Sequence, residues 1–134
     1  MIWTTEHQMA CAFSANGALV VSTDWDGRLS ALDVRNGKTR SVCEFRFIAD
    51  CDRFLGPCVA LPIQSTVACV SETGNVLLFR MPDWLPVGLL FSAVGIKSSD
   101  RVVDLMTLDK GRILTVHPGG RLGVWEHDWG ADLQ

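Results

Sequence analysis

The sequence has little of what marks a nucleic-acid-binding, membrane or secreted protein. Its lysines and arginines form no basic stripe and its net charge is −3, so we expect no nucleic-acid partner. The longest uncharged run, residues 84–96, is interrupted by Pro86, Gly88 and Gly95 and falls short of the roughly 20 residues of a membrane-spanning helix. No basic segment leads into an apolar core at the N-terminus, so neither a secretory signal nor a membrane partner is predicted.

Cysteines are few, and their spacing forms no disulfide framework. The five cysteines are odd in number and include no Cys-x-x-Cys pair, whereas a secreted disulfide scaffold usually has an even and denser set. The sequence therefore predicts reduced thiols in an intracellular, cytoplasmic protein. Cys51 and Cys58 fall in a predicted loop, where they can either pair or stay as solvent-exposed thiols.

Residue patterns of common catalytic and cofactor sites are also missing. The chain has no nucleophile elbow, phosphate-binding loop or dinucleotide fingerprint. Its histidines, His7, His117 and His127, do not have the spacing with other ligands that a zinc site needs. We therefore expect no enzyme activity, no cofactor and no metal.

What the sequence does contain is a series of short strand-like runs between tight turns. Apolar or alternating runs are separated by Asn-Gly, Asp-Gly and similar turn signals, and no long stretch combines a helical period with caps. The sequence predicts an all-β chain in which residues 1–134 form a single domain. Its units are approximately 7–47, 57–91 and 101–126, and residues 1–5 form a further strand able to complete another unit.

These runs repeat with a nearly fixed period. Gly27, Gly74 and Gly120 each precede an alternating strand, and their spacings of 47 and 46 residues match a four-stranded propeller repeat. Five residues before each glycine stands a small residue of the second strand, namely Ser22, Cys69 and Thr115. Five residues after each glycine stands a large apolar residue of the third strand, namely Leu32, Phe79 and Trp125. The sequence therefore predicts about three four-stranded antiparallel blades of a partial, unclosed β-propeller.

The repeat resembles that of the WD40 family. In the first unit the resemblance lies in the Ala-Phe-Ser-Ala-Asn-Gly run at 12–17, in Ser22, in Asp26-Gly27 and in Leu32-Asp33. In the second unit Pro62 stands where that family often has a proline after the first strand. In the third unit Trp125-Glu126 takes the place of the family's Trp-Asp pair. The resemblance implies a β-propeller that holds protein partners.

WD40 repeats often carry a buried hydrogen-bond network of His, Ser/Thr, Asp and Trp, which this chain matches in part. The first unit keeps Ser22 and Asp26 but has Leu32 in place of the Trp, and His7 lies too close to the first strand to be the network histidine. The matching residues are Cys69, Thr73 and Phe79 in the second unit and Thr115, Gly119 and Trp125 in the third. We therefore expect apolar packing, more than the polar network, to stabilise the blades. The predicted structural repeat positions are Ser22, Asp26, Gly27, Gly74, Thr115, Gly120 and Trp125.

A second propeller family resembles one stretch of the chain. The sequence from Ala31 to Lys38, with its Ala-x-Asp and Gly-Lys, is similar to a quinoprotein-like propeller repeat. That resemblance implies a cofactor-binding or enzymatic propeller, which is the alternative to an interaction module. The pattern does not recur in the other units, so the WD40 resemblance is preferred.

Three blades are too few for a closed ring, because closed propellers typically have about 4–8 blades. The chain can then be part of a longer propeller or can be completed by another protein. Alternatively, two copies can form a six-bladed ring in which residues 2–5 of each copy complete the last blade of the other. Because the sequence shows no reactive constellation, the propeller resemblance implies a non-enzymatic interaction or scaffold role.

Only one turn contains residues that the repeat does not account for. Asp24 and Asp26 could be read as paired carboxylates, but aspartates in such turns usually bond their own backbone, so we expect a structural role. Trp25 between them and Arg28 beside them are residue types that often anchor protein interfaces. They are the predicted interaction residues, although packing of Trp25 against a neighbouring blade is the preferred interpretation of that side chain.

Overall fold

The structure is a computed structural model that describes residues 4, 8–13, 17–24, 26–45, 53–54, 56–61, 65–92, 100–108 and 112–126. In this part of the chain the strands form three antiparallel sheets, which we call blades 1, 2 and 3. Blade 1 contains β1 (Gln8–Phe13), β2 (Leu19–Asp24), β3 (Leu29–Asp33) and β4 (Thr39–Val42). Blade 2 contains β5 (Cys58–Ala60), β6 (Thr66–Val70), β7 (Val76–Arg80) and β8 (Leu85–Phe91). Blade 3 contains β9 (Asp104–Thr107), β10 (Arg112–Val116) and β11 (Leu122–Glu126).

Each blade is a meander, because consecutive strands are joined by short turns and pair in chain order. The turn between the second and third strands has the same hydrogen bond in all three blades, from a glycine amide to the carbonyl oxygen three residues earlier. The bonds are Gly27 to Asp24 at 3.0 Å, Gly74 to Ser71 at 3.1 Å and Gly120 to His117 at 3.2 Å. The prediction of an all-β chain with about three antiparallel blades and no closed ring is confirmed.

One local expectation was wrong. Cys58 lies in β5, opposite Cys69 of β6 in the strand register, and is buried, where a loop position was predicted. Strand β8 begins at Leu85, directly after the buried Trp84. The predicted strand at residues 1–5 lies outside the described residues apart from Thr4. In the described part of the chain, no helix has the length and apolar character needed to cross a membrane.

Blade 2 lies between the other two blades, and its strands β6 and β7 are buried on both faces. Successive residues of a strand point to opposite faces, so each strand contributes to two interfaces. The face toward blade 1 carries Val67, Cys69, Leu77 and Phe79, which share a core cluster with Val21, Leu29 and Ala31. The face toward blade 3 carries Ala68, Val70, Val76 and Leu78, which cluster with Val102, Leu105 and Ile113. This double burial explains why β6 and β7 are apolar in nearly every position.

Aromatic rings fill the interface between blades 1 and 2. The Phe79 ring is packed edge-on by Phe45, Phe54 and Trp84, with ring centroids 5.8, 5.8 and 5.6 Å away. Edge-to-face pairs of this kind add to the stabilisation that burial alone provides. The Trp84 Nε1 also donates to the Ser41 hydroxyl of β4 at 3.1 Å, so this side chain ties blade 2 to the last strand of blade 1.

Candidate functional site

The acidic turn between β2 and β3 is organised by Asp24. One Asp24 carboxylate oxygen accepts hydrogen bonds from the backbone amides of Asp26 and Arg28, both at 2.9 Å. Asp26 and Arg28 are exposed. The Asp24 carboxylate therefore holds the turn together, and Arg28 remains available to a partner. Trp25, the other predicted interaction residue, lies outside the described residues.

A second carboxylate, Asp33 at the end of β3, is held by two arginines. It contacts the Arg35 guanidinium at 3.0 Å and that of Arg40 at 3.2 Å, and it also accepts the Arg35 backbone amide at 2.8 Å. The hydrogen bonds from Arg35 hold the pKa of Asp33 well below its usual range. Asp33 therefore stays ionised, so it serves as a counter-charge and not as a proton donor. This cluster occupies the stretch that resembles a quinoprotein-like repeat.

Three cysteine thiols lie together in the core between blades 1 and 2. Cys43, Cys58 and Cys69 are all buried and reduced. Burial raises the pKa of the Cys69 thiol, and the neighbouring Cys58 adds to that shift. A thiol kept protonated is a poor nucleophile and a poor metal ligand. Among the described residues, no group of three or more His, Cys, Asp or Glu is arranged to hold a metal ion.

The three repeat glycines share one backbone conformation but differ in their surroundings. The φ angles of Gly27, Gly74 and Gly120 are 79°, 101° and 82°, in the left-handed region that favours glycine. A Cβ on Gly27 would lie 2.6 Å from the Arg53 Cβ, and one on Gly74 would lie 2.7 Å from the Arg101 Cβ. In blades 1 and 2, therefore, the chain leading into the next blade crosses directly over the turn. A Cβ on Gly120 would meet no described atom within 4 Å.

The strand positions of the repeat also differ between blades. The small residues Ser22, Cys69 and Thr115 are all buried. Of their large partners in the next strand, Leu32 and Phe79 are buried, whereas Trp125 is about half exposed. The third blade is therefore the one whose repeat positions reach the surface.

Trp125 takes part in a hydrogen-bond chain that runs through blade 3. Its indole Nε1 donates to the Thr115 hydroxyl at 2.9 Å, and that hydroxyl lies 2.8 Å from His117 Nε2. The other His117 nitrogen, Nδ1, is 3.0 Å from the backbone carbonyl oxygens of Asp100 and Arg101. Carbonyl oxygens only accept, so we assign the ring proton to Nδ1. In the neutral imidazole Nε2 then accepts from the Thr115 hydroxyl at 2.8 Å, a shorter contact than the 3.4 Å from that hydroxyl to the Gly123 carbonyl oxygen, and the hydroxyl accepts from Trp125.

The sequence pattern did not assign His117 to this hydrogen-bond network. The WD40 resemblance directed attention to a histidine ahead of the first strand, whereas His117 follows the second strand. One signal was nevertheless present, because residues two apart on a strand share a face. The two-residue spacing from Thr115 therefore places His117 beside it. His117 is buried at the end of β10.

A cavity of about 440 Å³ lies beside Trp125, between blades 2 and 3. Its walls include Phe91 of β8, and the Phe91 and Trp125 rings meet edge-on with centroids 5.5 Å apart. An ion pair between Asp100 and Arg121 lies at the same cavity. The cavity is thus mainly apolar and has one charged border.

The face of blade 3 that points away from blade 2 has an apolar, uncovered centre, and by strand register Asp104, Arg112 and Glu126 lie at its borders. Met106, Leu122 and Val124 are each more than half exposed on it. Their neighbours on the same face, by strand register, are Leu114 and Val116 of β10. In the described part of the chain, β11 pairs with β10 alone, so its outer edge is also unpaired. Adjacent exposed apolar side chains on a sheet face are typical of an interaction surface.

Comparison with known proteins supports the fold. A scan against protein-family models and a search of curated proteins found no match. Among solved structures, the chain is similar to BamB from Moraxella catarrhalis, with a TM-score of 0.61 and 19% sequence identity. The match covers 89% of this chain and 33% of the BamB chain, so this chain spans about a third of that protein's length. BamB is a β-propeller, and the chain therefore has a β-propeller-like fold of three blades that do not close.

Proposed function

We propose that this protein is a non-enzymatic interaction or scaffold module that forms part of a larger propeller or complex. The observation that carries the proposal is the uncovered apolar face of blade 3 on an otherwise well-packed β-propeller-like fold. Exposing Met106, Leu122 and Val124 to water is unfavourable, at about 25 cal/mol per Å² of apolar surface. A partner that covers this face recovers that free energy, and the three blades serve as its rigid support.

We further propose that the repeats are of the WD40 type. The support comes from blade 3, where a Trp on the third strand bonds a Thr on the second and the Thr bonds a His. These are three of the residue types of the WD40 network. The histidine reaches the network from the turn after the second strand, which is a departure from the family's arrangement.

The proposed setting is intracellular, with protein as the partner and neither nucleic acid nor membrane as a target. Trp25 and Arg28 are the proposed contact residues on the turn of blade 1. Arg28 is exposed and its backbone amide is fixed by Asp24, so binding has little backbone order to impose there.

Affinity capture with the intact, tagged protein in its native cells tests this function. The wild type is compared with the double variant Trp25→Ala/Arg28→Ala, and Lys38→Ala serves as a matched control because it removes an exposed cation elsewhere in blade 1. We expect specific protein partners that survive nuclease treatment. Recovery should fall about tenfold in the double variant, since interface anchors are commonly Trp and Arg. Failure to enrich any protein above an untagged control would overturn the proposal.

A further inference from the structure

We propose that Cys58 and Cys69 form a site of reversible oxidation, at which a hydroperoxide converts the two thiols into a disulfide that links β5 to β6. The inference goes beyond the proposed interaction function and does not depend on it, because it concerns two side chains in the core of blade 2. It follows from the register of the two strands, from the burial of the thiols and from the difference in their exposure.

The register of β5 and β6 places the two cysteines directly opposite each other. At the next position of this antiparallel ladder, the Val70 amide donates to the Pro57 carbonyl oxygen at 3.0 Å. Hydrogen-bonded and non-hydrogen-bonded pairs alternate along such a ladder. Cys58 and Cys69 therefore form a non-hydrogen-bonded pair, the kind in which opposite side chains come closest.

The spacing of such a pair suits a disulfide. The Cα atoms of a non-hydrogen-bonded pair are about 4.5 Å apart, and disulfides accept Cα separations of about 4.4–6.8 Å. Both side chains point to the same face of blade 2, since Cys58 and Cys69 belong to the core cluster shared with blade 1. The two thiols are also close enough for a hydrogen bond. The strands thus already hold both cysteines as the disulfide needs them.

Exposure decides which sulfur reacts first. Cys58 is 7% exposed on a three-residue edge strand, whereas Cys69 is 0% exposed on an inner strand of the same sheet. The peroxide therefore transfers one oxygen atom to the Cys58 Sγ, which becomes a sulfenic acid, and leaves as water. The Cys69 Sγ then attacks the Cys58 Sγ, and the displaced hydroxide leaves with the Cys69 proton as a second water. Two thiols lose two hydrogens and two electrons, and one peroxide is reduced.

The surroundings of Cys69 make it a partner for Cys58 and not a first target. Burial raises the pKa of the Cys69 thiol, so this thiol reacts slowly with a peroxide from solution. The second step is nevertheless favoured, because a thiol held beside the sulfenic acid attacks within the molecule. Cys43 is a third buried thiol of the same cluster, but it follows β4 of blade 1 and is not paired with either cysteine in a ladder. It provides a matched control.

Tryptic mapping of the intact, folded protein after treatment with hydrogen peroxide tests the inference. Free thiols are blocked with iodoacetamide in denaturant before digestion. No lysine or arginine lies between Arg53 and Arg80, so Cys58 and Cys69 are the only cysteines of one tryptic peptide, residues 54–80. We expect this peptide to be free of alkylation and lighter than its unmodified reduced form by two hydrogen atoms. Every other pairing of cysteines would join two different tryptic peptides.

Urea denaturation with and without dithiothreitol provides a second measurement. The disulfide closes the segment 58–69, so the peroxide-treated protein should unfold at a urea midpoint about 1–2 M higher than the reduced protein. Dithiothreitol should reverse this shift. Cys58→Ala should abolish the shift, whereas Cys43→Ala, which removes another buried thiol, should retain it.

Three results of the mapping would overturn the inference. They are a peptide 54–80 that stays fully alkylated after peroxide treatment, a cross-link from this peptide to Cys43 or another cysteine, and oxidation of Cys58 to a sulfinic acid without a cross-link. The mapping uses the wild-type chain, so its result holds even if a core variant fails to fold. None of these results bears on the proposed interaction function, which is tested by partner capture and involves neither thiol.

Discussion

At the scale of single residues, the Thr115 hydroxyl joins two ring side chains within blade 3. It accepts from Trp125 and donates to His117, so one atom satisfies two ring nitrogens at once. His117 in turn binds carbonyl oxygens of the segment that precedes β9. A single buried hydroxyl thus connects the last strand of blade 3 to the segment that leads into the blade.

Replacing Thr115 with Val should therefore destabilise the protein by about 1–3 kcal/mol, because the buried ring nitrogen of His117 loses its partner while the side-chain volume is kept. Thr115→Ser, which retains the hydroxyl, should restore most of this loss. Urea denaturation followed by circular dichroism measures both variants. A Thr115→Val protein as stable as the Thr115→Ser variant would show that the hydrogen bonds of Thr115 contribute little to the free energy of unfolding.

Asp33 gives a pH-dependent prediction. Its pKa is lower in the folded protein than its ordinary value of 3.8, so its stabilising contribution is present above that pH. The contribution is lost progressively as the pH falls from there toward the lowered pKa. Wild type should therefore be more stable than Asp33→Asn at neutral pH, and the difference in unfolding free energy should shrink at about pH 3.

The measurement is denaturant unfolding of both proteins across this pH range. Asp83→Asn, which removes an exposed carboxylate in the turn before β8, is the matched control. A difference between wild type and Asp33→Asn that is unchanged from neutral to acid pH would contradict the assignment of Asp33 as an ionised counter-charge.

At the scale of elements, the turn between the second and third strands combines two requirements. The left-handed φ favours glycine in every blade. In blades 1 and 2 the segment that leads into the next blade also leaves no space for a Cβ. Only the first requirement applies to blade 3. These two costs can therefore be separated by the same substitution in different blades.

We expect Gly120→Ala to cost about 1–2 kcal/mol, from backbone strain alone. Gly74→Ala should cost about 2–5 kcal/mol, since its Cβ also meets the Arg101 Cβ and nearby backbone. The difference between the two unfolding free energies, measured on the purified protein, isolates the close approach. Equal losses in both variants would mean that the space over Gly120 is already filled in the free protein.

The elements also show which parts of the structure the sequence could predict. The spacing of Gly27, Gly74 and Gly120 predicted the turns because a left-handed φ strongly restricts the residue type. The alternation of apolar and polar residues predicted the strands, because it too depends only on neighbouring positions in the sequence. Asp24 was harder, because Asp24 and Asp26 can both reach turn amides and spacing does not show which one does. Burial of Cys58 and Trp84 depends on the neighbouring blade, which no local pattern records.

At the scale of the whole molecule, stability should be graded across the blades. Strands β6 and β7 of blade 2 are covered on both sides, whereas β11 has an uncovered face and an unpaired edge among the described residues. Local opening is easiest where few apolar contacts hold a strand. The molecule should therefore open first at blade 3.

Amide hydrogen exchange monitored by mass spectrometry checks this gradient. Peptides from β6 and β7 should exchange about tenfold or more slowly than peptides from β11 in the free protein. Binding of the partner should slow exchange in β11 and leave β6 and β7 nearly unchanged. Equal protection of β7 and β11 in the free protein would show that blade 3 is already covered.

Because blade 2 packs against a blade on each face, its packing bears on how the number of blades in the fold can change. Blade 2 receives blade 1 on one face, and on the other it offers blade 3 the face that corresponds to the one blade 1 offers it. A duplicated blade 2 would keep the present contacts with blades 1 and 3 and would create one new interface, between its two copies. The architecture is therefore suited to growth by tandem duplication, because the number of blades can change with only one new interface to accommodate.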